Sequence, residues 1–382
     1  MNITAYEHLF QDMIASAQVC EASDVHIEPE RSEIKIRFRV DGELRLWKQL
    51  TGDHRQALTF EIKRQTGLSI ATHGRDQDGR ASLPELQLDL RASLIPTQFG
   101  EKIVLRLLSH TRSFRLTDQG YSEQTIADLR AALALENGLI LISGATGSGK
   151  TTTLYSLLSE LDSKKENILT IEDPVEYTFA GITQVPVTSR LSFAQALRAA
   201  LRQDPDVILV GEVRDAETAD LCLKAAATGH LVLSTIHANG AAEVLHRLKS
   251  LNADPDLVRS CLKFSGAQRL VKRLCRHCAR PLAAAELHDL WRRMGSDASR
   301  MNRDFERARM ADPAGCTRCA GGTRGRAPIL EYLCGTELWD CLHARCTPDS
   351  SDSGTPPSIA KTFNDACLDQ IEAGRVAADT KI

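Results

Sequence analysis

Residues 144–151 read Gly-Ala-Thr-Gly-Ser-Gly-Lys-Thr, and this stretch decides the fold. It matches G-x-x-x-x-G-K-[ST], the phosphate-binding loop of P-loop nucleotide-binding proteins. Residues 139–142 are apolar and predict a short buried strand before the loop, and residues 151–161 predict the helix after it. A glycine-rich turn can match the motif by chance, but a strand before it and a helix after it favour a triphosphate site.

The loop has the physical properties that a phosphate chain requires. Its glycines let the backbone curl so that N–H groups point inward, and the following helix adds the positive end of its dipole. Lys150 is expected to reach the β- and γ-phosphates of ATP, and Thr151 to hold Mg²⁺. The candidate ATP-binding residues are Gly144, Ala145, Thr146, Gly147, Ser148, Gly149, Lys150, Thr151 and Thr152.

Composition limits the class of protein. The 382 residues suffice for two or three domains, and 42% hydrophobic with 25% charged residues is typical of a globular protein. The net charge of -3 gives no general attraction to nucleic acid or to anionic membranes. The amino-terminal residues have no export-signal pattern, and the odd number of cysteines, 11, does not resemble a secreted disulfide scaffold. We therefore expect a cytoplasmic protein.

Hydrophobic patterning divides the chain into five segments. Alternating apolar and charged residues, as at 34–40, predict a small α+β domain at the amino terminus, and apolar strands alternating with helices predict a parallel-sheet α/β core. A cysteine-rich subdomain and a tail of disordered composition with a last helix at 359–374 follow. The predicted segments are 1–108, a linker at 109–120, the core at 121–265, the cysteine-rich subdomain at 266–345 and the tail at 346–382.

Acidic residues follow two of the predicted core strands. Glu212 ends the apolar run 207–212, where an acid can hold magnesium, although a surface carboxylate after a buried strand is also common. Glu172, Asp173 and Glu176 end another strand, and one of them could be the general base for an attacking water. The alternative for these three is an acidic, solvated turn.

Two further patterns involve histidine and cysteine. His230 and His237 bracket a buried strand, where a histidine can sense the nucleotide state or be merely structural. Cys275, Cys278, Cys316 and Cys319 form two C-x-x-C pairs with 37 residues between them, which predicts a tetrahedral zinc site. Redox pairs, unpaired buried cysteines and a nucleic-acid-binding ribbon are the alternatives.

Four additional motifs lie before the phosphate loop. They are Ala-Ser-Asp-Val-His-Ile-Glu-Pro (22–29), Arg-Phe-Arg-Val-Asp-Gly (37–42), Gln-Asp-Gly-Arg (77–80) and Ile-Pro-Thr-Gln-Phe-Gly-Glu (95–101). Together with the loop they resemble the secretion ATPases of type II secretion and type IV pilus assembly, over nearly the whole chain. The resemblance assigns a Walker A segment at 144–155, an aspartate box at 168–177, a Walker B segment at 201–215 and a histidine box at 228–239.

The resemblance implies a fold and residue roles. It implies a RecA-like P-loop core, with Glu212 holding magnesium, Glu176 as the catalytic glutamate, and His230 and His237 as sensors of the nucleotide. It also implies a homo-hexamer in which arginines of the amino-terminal domain approach the phosphates. The arginines that fit this description are Arg37, Arg39, Arg91 and Arg106.

Two segments depart from the family pattern. The histidine box continues His-Ala-Asn at 237–239 where His-Thr-Asn is usual, and Gly-Arg-Ala-Pro at 325–328 replaces Gly-Arg-x-Gly. Retraction ATPases of the family typically lack the paired cysteines, so the four cysteines favour assembly.

The resemblance also implies a function. We expect a cytoplasmic motor at the inner face of the cytoplasmic membrane, which acts through an inner-membrane platform protein on a pilus, a pseudopilus or a secretion system. Direct nucleic-acid binding is not expected. The alternatives are a nucleic-acid-translocating ATPase, associated with DNA uptake or conjugation, and a regulatory subunit that binds ATP without hydrolysing it.

Overall fold

The computed structural model describes residues 3–110, 113–294, 303–336, 338, 340 and 361–380. The chain forms two units, Met1–Arg112 and Ser113–Ile382. Each unit has hydrophobic core residues of its own. The predicted tail at 346–358 lies outside the described residues, and the boundaries predicted for the five segments stay a prediction.

The first unit is a six-stranded antiparallel sheet with two helices on its apolar face. Alternation explains this arrangement, because Ile34, Ile36 and Phe38 are buried while the residues between them face away from the core. The helices are α1 (Ile3–Val19) and α2 (Arg55–Thr66); the strands are β1 (Asp24–Pro29), β2 (Glu33–Val40), β3 (Glu43–Thr51), β4 (Gln77–Leu83), β5 (Leu88–Thr97) and β6 (Gly100–Ser109), in the order β3-β2-β1-β6-β5-β4.

One predicted strand starts later than its pattern indicates. The alternating run that begins at Leu86 predicts a strand from that residue, but β5 begins at Leu88. Pro84–Leu86 form a single 3-10 turn, and Gln87 has a φ of 49°, which is incompatible with a strand. The turn, rather than hydrophobicity, therefore sets the start of the strand.

The second unit contains a seven-stranded sheet whose central strands are almost completely buried. Uninterrupted apolar runs are typical of parallel strands that have both faces covered. The strands are β7 (Gly138–Ser143), β8 (Ile168–Glu172), β9 (Thr183–Pro186), β10 (Val207–Val210), β11 (Leu231–Ile236), β12 (Leu262–Leu274) and, after the short pair β13 (Arg280–Pro281) and β14 (Arg309–Met310), β15 (Thr323–Cys334).

The helices of this unit connect and cover the strands. They are α3 (Glu123–Leu133), α4 (Lys150–Leu158), α5 (Phe193–Ala200), α6 (Ala216–Ala227), α7 (Glu243–Ser250), α8 (Pro255–Cys261), α9 (Ala284–Met294) and α10 (Phe363–Glu372). The last of them lies inside the range predicted for the terminal helix, and its amino terminus is capped by the side chain of Thr362.

The strand order is β15-β12-β7-β11-β10-β8-β9. All neighbours are parallel except β12 and β15, which pair antiparallel at one edge of the sheet. The prediction of a parallel α/β core is therefore confirmed, and β12 runs without interruption across residue 265, where the sequence suggested a segment boundary. None of the helices among the described residues is long and apolar enough to cross a membrane.

The central strands predict a stability test. Leu233 is fully buried in β11, whereas Leu135 is 42% exposed. Leu233→Ala should lower the free energy of unfolding by about 2 to 5 kcal/mol, because it leaves a cavity in the core. Leu135→Ala is the matched control and should lower the free energy of unfolding far less. Denaturant unfolding followed by circular dichroism measures both, and equal losses would contradict this assignment of the core.

Candidate active site

The carboxyl ends of the parallel strands meet at one edge of the sheet of the second unit. β7 ends at the phosphate loop, β8 at Glu172, β10 just before Glu212, and β11 just before His237. Ligands of open α/β sheets bind at this edge, because the loops that follow the strands converge there. The parallel topology thus brings together residues that are far apart in the sequence.

The phosphate loop needs glycine at two of its positions. Gly144 has a φ of 142°, and a Cβ there would lie 2.5 Å from the backbone oxygen of Gln268. Gly149 has a φ of 88°, and a Cβ there would lie 2.9 Å from Nε2 of the same residue. Any other residue would therefore push the loop away from β12.

A buried polar cluster lies beneath the loop. The Gln268 side chain donates to the Ser148 carbonyl over 2.8 Å, and its oxygen accepts from Thr153 at 2.6 Å and from Tyr121 at 2.8 Å. Burial raises the pKa of Tyr121, so its hydroxyl remains a donor. No role was predicted for these residues from the sequence, because β12 carries several other polar side chains and Gln268 does not stand out among them.

Lys150, the first residue of α4, folds back over the loop. Its Nζ donates to the carbonyl oxygens of Gly144 at 2.7 Å and Ala145 at 3.0 Å. Burial lowers the pKa of Lys150, and the nearby carboxylate of Glu212 opposes this shift. The cation therefore lies close to both the loop and the acid after β10.

Glu212 is the meeting point of several charged groups. Arg214 donates to one of its carboxylate oxygens, and His237 Nε2 lies 3.7 Å from the other. Arg214 is also 3.9 Å from Asp173, and its pKa is raised chiefly by the hydrogen bond to Glu212. Arg214 belongs to the segment that resembles Walker B, but the sequence alone predicts no role for it. The next residue, Asp215, caps α6.

The structure separates the three acids after β8. Glu172 is 3% exposed and accepts hydrogen bonds from Tyr155, from Thr170 at 2.6 Å and from Gln184 at 3.1 Å. A carboxylate enclosed in this way has no access to an attacking water. Glu176 is half-buried in the following loop, and its backbone N–H donates to the Tyr155 hydroxyl over 3.4 Å.

The two histidines lie at opposite ends of β11. His237 follows the strand and lies at the carboxyl ends of the parallel strands, with the other candidate residues. His230 precedes the strand and lies at the opposite, amino-terminal ends. The Nδ1 atom of His230 lies 2.9 Å from the backbone oxygen of Ala225 and 3.3 Å from the hydroxyl of Thr228. Within this unit only His237 reaches the candidate site, and a nucleotide-sensing role for His230 and His237 stays a prediction.

The predicted arginines of the first unit share the polar face of its sheet. Arg37 donates to Glu28 at 2.6 Å, and Asp24 lies 3.0 Å from Arg106 and 3.9 Å from Arg39. Arg91 is opposite Arg106 in the register of β5 and β6. The pKa of Glu28 is lowered to about 2, since the hydrogen bonds from Arg37 and Lys102 outweigh the opposing effect of its burial.

The four predicted cysteines form one cluster at the end of the β12–β15 pair. Their sulfur atoms lie within 4.8 Å of one another, with Sγ–Sγ distances of 3.8 Å for Cys275–Cys316 and 3.5 Å for Cys278–Cys319. Sulfur atoms about 2.3 Å from a tetrahedral ion would be about 3.8 Å apart. A hydrogen bond from the backbone of His277 lowers the pKa of Cys275, whereas burial raises the pKa of Cys278. The cluster is compatible with zinc.

The fold and the phosphate loop at the carboxyl edge place the chain in the class of P-loop nucleotide-binding proteins. Residues 2–376 match the family model described as Type II/IV secretion system protein, so the chain belongs to this family. The family resemblance and the α/β fold class expected from the sequence are thereby confirmed.

Curated relatives come from both pilus and secretion systems. The chain is 41% identical over 328 residues to the type IV pilus assembly ATPase PilB of Myxococcus xanthus, covering 84% of this chain and 56% of that protein. It is also 41% identical over 335 residues to type II secretion system protein E of Klebsiella pneumoniae, covering 85% of this chain and 65% of that protein. The chain thus spans about half to two thirds of the length of these relatives.

Solved structures agree on the fold. The ATPase DotB of Legionella pneumophila aligns with a TM-score of 0.66 at 22% identity, covering 97% of this chain and 89% of that chain. The pilus retraction motor PilT, solved with bound ADP, aligns with a TM-score of 0.54 at 30% identity, covering 69% of this chain and 78% of that chain.

Tyr155 offers a test of how the site is held together. Its hydroxyl donates to buried Glu172 and accepts from the backbone of Glu176, so Tyr155→Phe should destabilise the protein by about 1 to 3 kcal/mol. It should also lower the rate of ATP turnover, because the loop that carries Glu176 loses an anchor. Steady-state ATPase assays and denaturant unfolding measure the two effects.

Tyr177 supplies the matched control. It packs in the same aromatic cluster as Tyr155, and its hydroxyl has no hydrogen bond within the described part of the chain. Tyr177→Phe should therefore leave both stability and turnover nearly unchanged. Equal effects of the two substitutions would show that the loss does not depend on the hydrogen bonds of Tyr155, and would contradict the anchoring role of its hydroxyl.

Proposed function

We propose that this protein is a hexameric ATPase motor that powers assembly of a type IV pilus or pseudopilus, or type II protein secretion. The motor works in the cytoplasm, at the inner face of the membrane, and acts through an inner-membrane platform protein. Membership of the Type II/IV secretion system protein family supports this class of function. The observation that carries the proposal is the convergence of Lys150, Glu212 and His237 at the edge where the phosphate loop ends.

In the proposed reaction, water attacks the γ-phosphate of ATP in line with the leaving oxygen. Lys150 and the loop N–H groups bind the phosphates. The hydroxyl of Thr151 and the carboxylate of Glu212 would hold Mg²⁺, since hard oxygen ligands suit this ion. Glu176 polarises the attacking water, because the carboxylate of Glu172 is enclosed by its own hydrogen bonds and cannot take this role.

The arginines of the first unit complete the site in this proposal. Arg37, Arg39, Arg91 and Arg106 share one sheet face, where Asp24 and Glu28 hold three of them. We propose that some of them approach the phosphates, across subunits of the hexamer, and stabilise the charge of the transition state. The ion pairs with Asp24 and Glu28 fix where three of these guanidinium groups lie, and this supports a group of cations held together on that face.

Lys150 and Glu176 test the catalytic assignment. Lys150→Ala should abolish nucleotide binding and turnover, because it removes the phosphate cation. Glu176→Gln should keep nucleotide binding but reduce kcat by about 100-fold or more, because an amide cannot accept the proton of the water. In a strain that lacks the natural gene, neither variant should restore pilus formation or secretion.

Lys164→Ala and Glu85→Gln are matched controls, because both side chains are exposed and neither belongs to the candidate site. Nucleotide binding is measured by equilibrium titration and turnover by phosphate release. Full activity in both Lys150→Ala and Glu176→Gln would contradict the catalytic assignment. If the unmodified protein hydrolyses ATP but the two inactive variants still support pilus formation or secretion, the motor role is contradicted instead.

We also propose that Cys275, Cys278, Cys316 and Cys319 bind a structural zinc ion. Their sulfur spacing supports a tetrahedral thiolate site, and the ion would join the turn after β12 to the turn before β15. Retraction ATPases typically lack such cysteines, so this site supports assembly rather than retraction.

Elemental analysis tests the zinc site. The purified protein should contain about one zinc ion per chain, and Cys275→Ser should lose it together with local structure, because metal binding and folding are coupled at such sites. Cys20→Ser is the matched control, since Cys20 is exposed and lies in the first unit. An unchanged zinc content in Cys275→Ser would contradict the proposal.

A further inference from the structure

A basic cavity lies in the second unit, away from the phosphate loop. Its volume is about 570 Å³, and it is bordered by the 3-10 turn Leu116–Gln119, the end of β12 and the turn after α10. Among its described lining residues, Asp118 is the only acid. The basic lining residues are Arg273, Arg276, Arg326 and Arg375.

Few protein groups engage the guanidinium N–H donors of the arginines in this cavity. Within the described residues, Arg273, Arg276 and Arg326 have no ion pair or side-chain hydrogen bond. Arg375 donates to the Gly120 carbonyl at 2.6 Å and retains the other donors of its guanidinium group. Asp118 is itself engaged, because it accepts a hydrogen bond from Ser113 at 2.7 Å.

The backbone makes room for one of these arginines. Gly325 has a φ of 77°, and a Cβ at this position would lie 3.1 Å from Nη2 of Arg273. The guanidinium group of Arg273 therefore rests against a glycine in a conformation that other residues rarely adopt. Gly325 and Arg326 belong to the segment that departs from the family pattern, and neither takes part in the candidate active site.

Electrostatics and shape together indicate the ligand. Several guanidinium groups around one cavity repel one another unless an anion lies between them, and the planar guanidinium fork matches phosphate oxygens in geometry. The cavity also has an uncharged wall, and its volume is within the usual range for small-molecule sites. The residues of that wall are Leu274, Ala279, Ala327 and Ala373.

We infer that this cavity is a second binding site, for a phosphorylated small molecule of the nucleotide class. The arginines bind its phosphates, and the uncharged wall packs against its base or sugar. None of the lining residues belongs to the phosphate loop, so this site is separate from the candidate active site. The ligand would contact the start of the second unit, the first cysteine of the cluster and the carboxyl-terminal segment together.

The test uses the full chain with Lys150→Ala, so that binding at the phosphate loop does not contribute. Calorimetric titration compares pyrophosphate with GDP, which carries the same diphosphate on a nucleoside. We expect one site per chain, tighter binding of GDP than of pyrophosphate, and weaker binding of both at higher salt. Adding Arg273→Ala and Arg326→Ala together should lower the affinity for GDP at least about tenfold, since charge-assisted hydrogen bonds are lost.

Two further variants keep the test decisive. Arg202→Ala with Arg292→Ala is the matched control, because both arginines are exposed and lie outside the cavity, and GDP binding should not change. Asp118→Asn removes the cavity's carboxylate and should tighten GDP binding about two- to fivefold. This gain of affinity cannot come from unfolding, so it covers the case in which the double arginine variant fails to fold.

Several results would overturn the inference. They are the absence of GDP binding to the Lys150→Ala chain, an affinity for GDP that the arginine substitutions do not change, and equal affinity for GDP and pyrophosphate. Sedimentation with phosphatidylglycerol vesicles that requires these arginines, without GDP binding, would assign the cavity to a lipid surface instead. ATPase activity of the unmodified chain is measured separately, so a failure here leaves the proposed motor function unaffected.

Discussion

The close contact between the phosphate loop and β12 is the constraint on which the candidate site depends. The backbone oxygen of Gln268 leaves no space for a Cβ at Gly144, and its side chain holds the carbonyl of Ser148. Tyr121 and Thr153 complete the hydrogen bonds of this buried amide. The strand β12, which lies next to β7 in the sheet, thus fixes the shape of the loop from one side.

The acidic residues around this loop differ in their surroundings rather than in their chemistry. Glu172 is enclosed by Tyr155, Thr170 and Gln184, and so it belongs to the core that links α4 to β8. Glu212 instead faces Arg214 and His237 at the open edge. The same residue type can therefore hold the site together at one strand end and interact with a ligand at the next.

The carboxyl-terminal part of the second unit extends the nucleotide-binding sheet. β12 and β15 lie at one edge of that sheet, and the cysteine cluster closes the far end of the pair. Beside the cluster, Arg273 rests on Gly325 and faces the basic cavity. A continuous strand therefore connects the support of the phosphate loop with the cysteine cluster and the second proposed site.

The sequence by itself determined the phosphate loop, the buried parallel strands and the cysteine pairs, because glycine spacing, uninterrupted apolar runs and C-x-x-C spacing are local patterns. The order of its motifs was enough to recognise the family. Only the tertiary structure showed that His237, and not His230, lies beside the end of the phosphate loop, since which end of a strand faces a ligand depends on sheet topology. It also decided the roles of Gln268 and Glu172, because burial and long-range hydrogen bonds leave no periodic signal in a sequence.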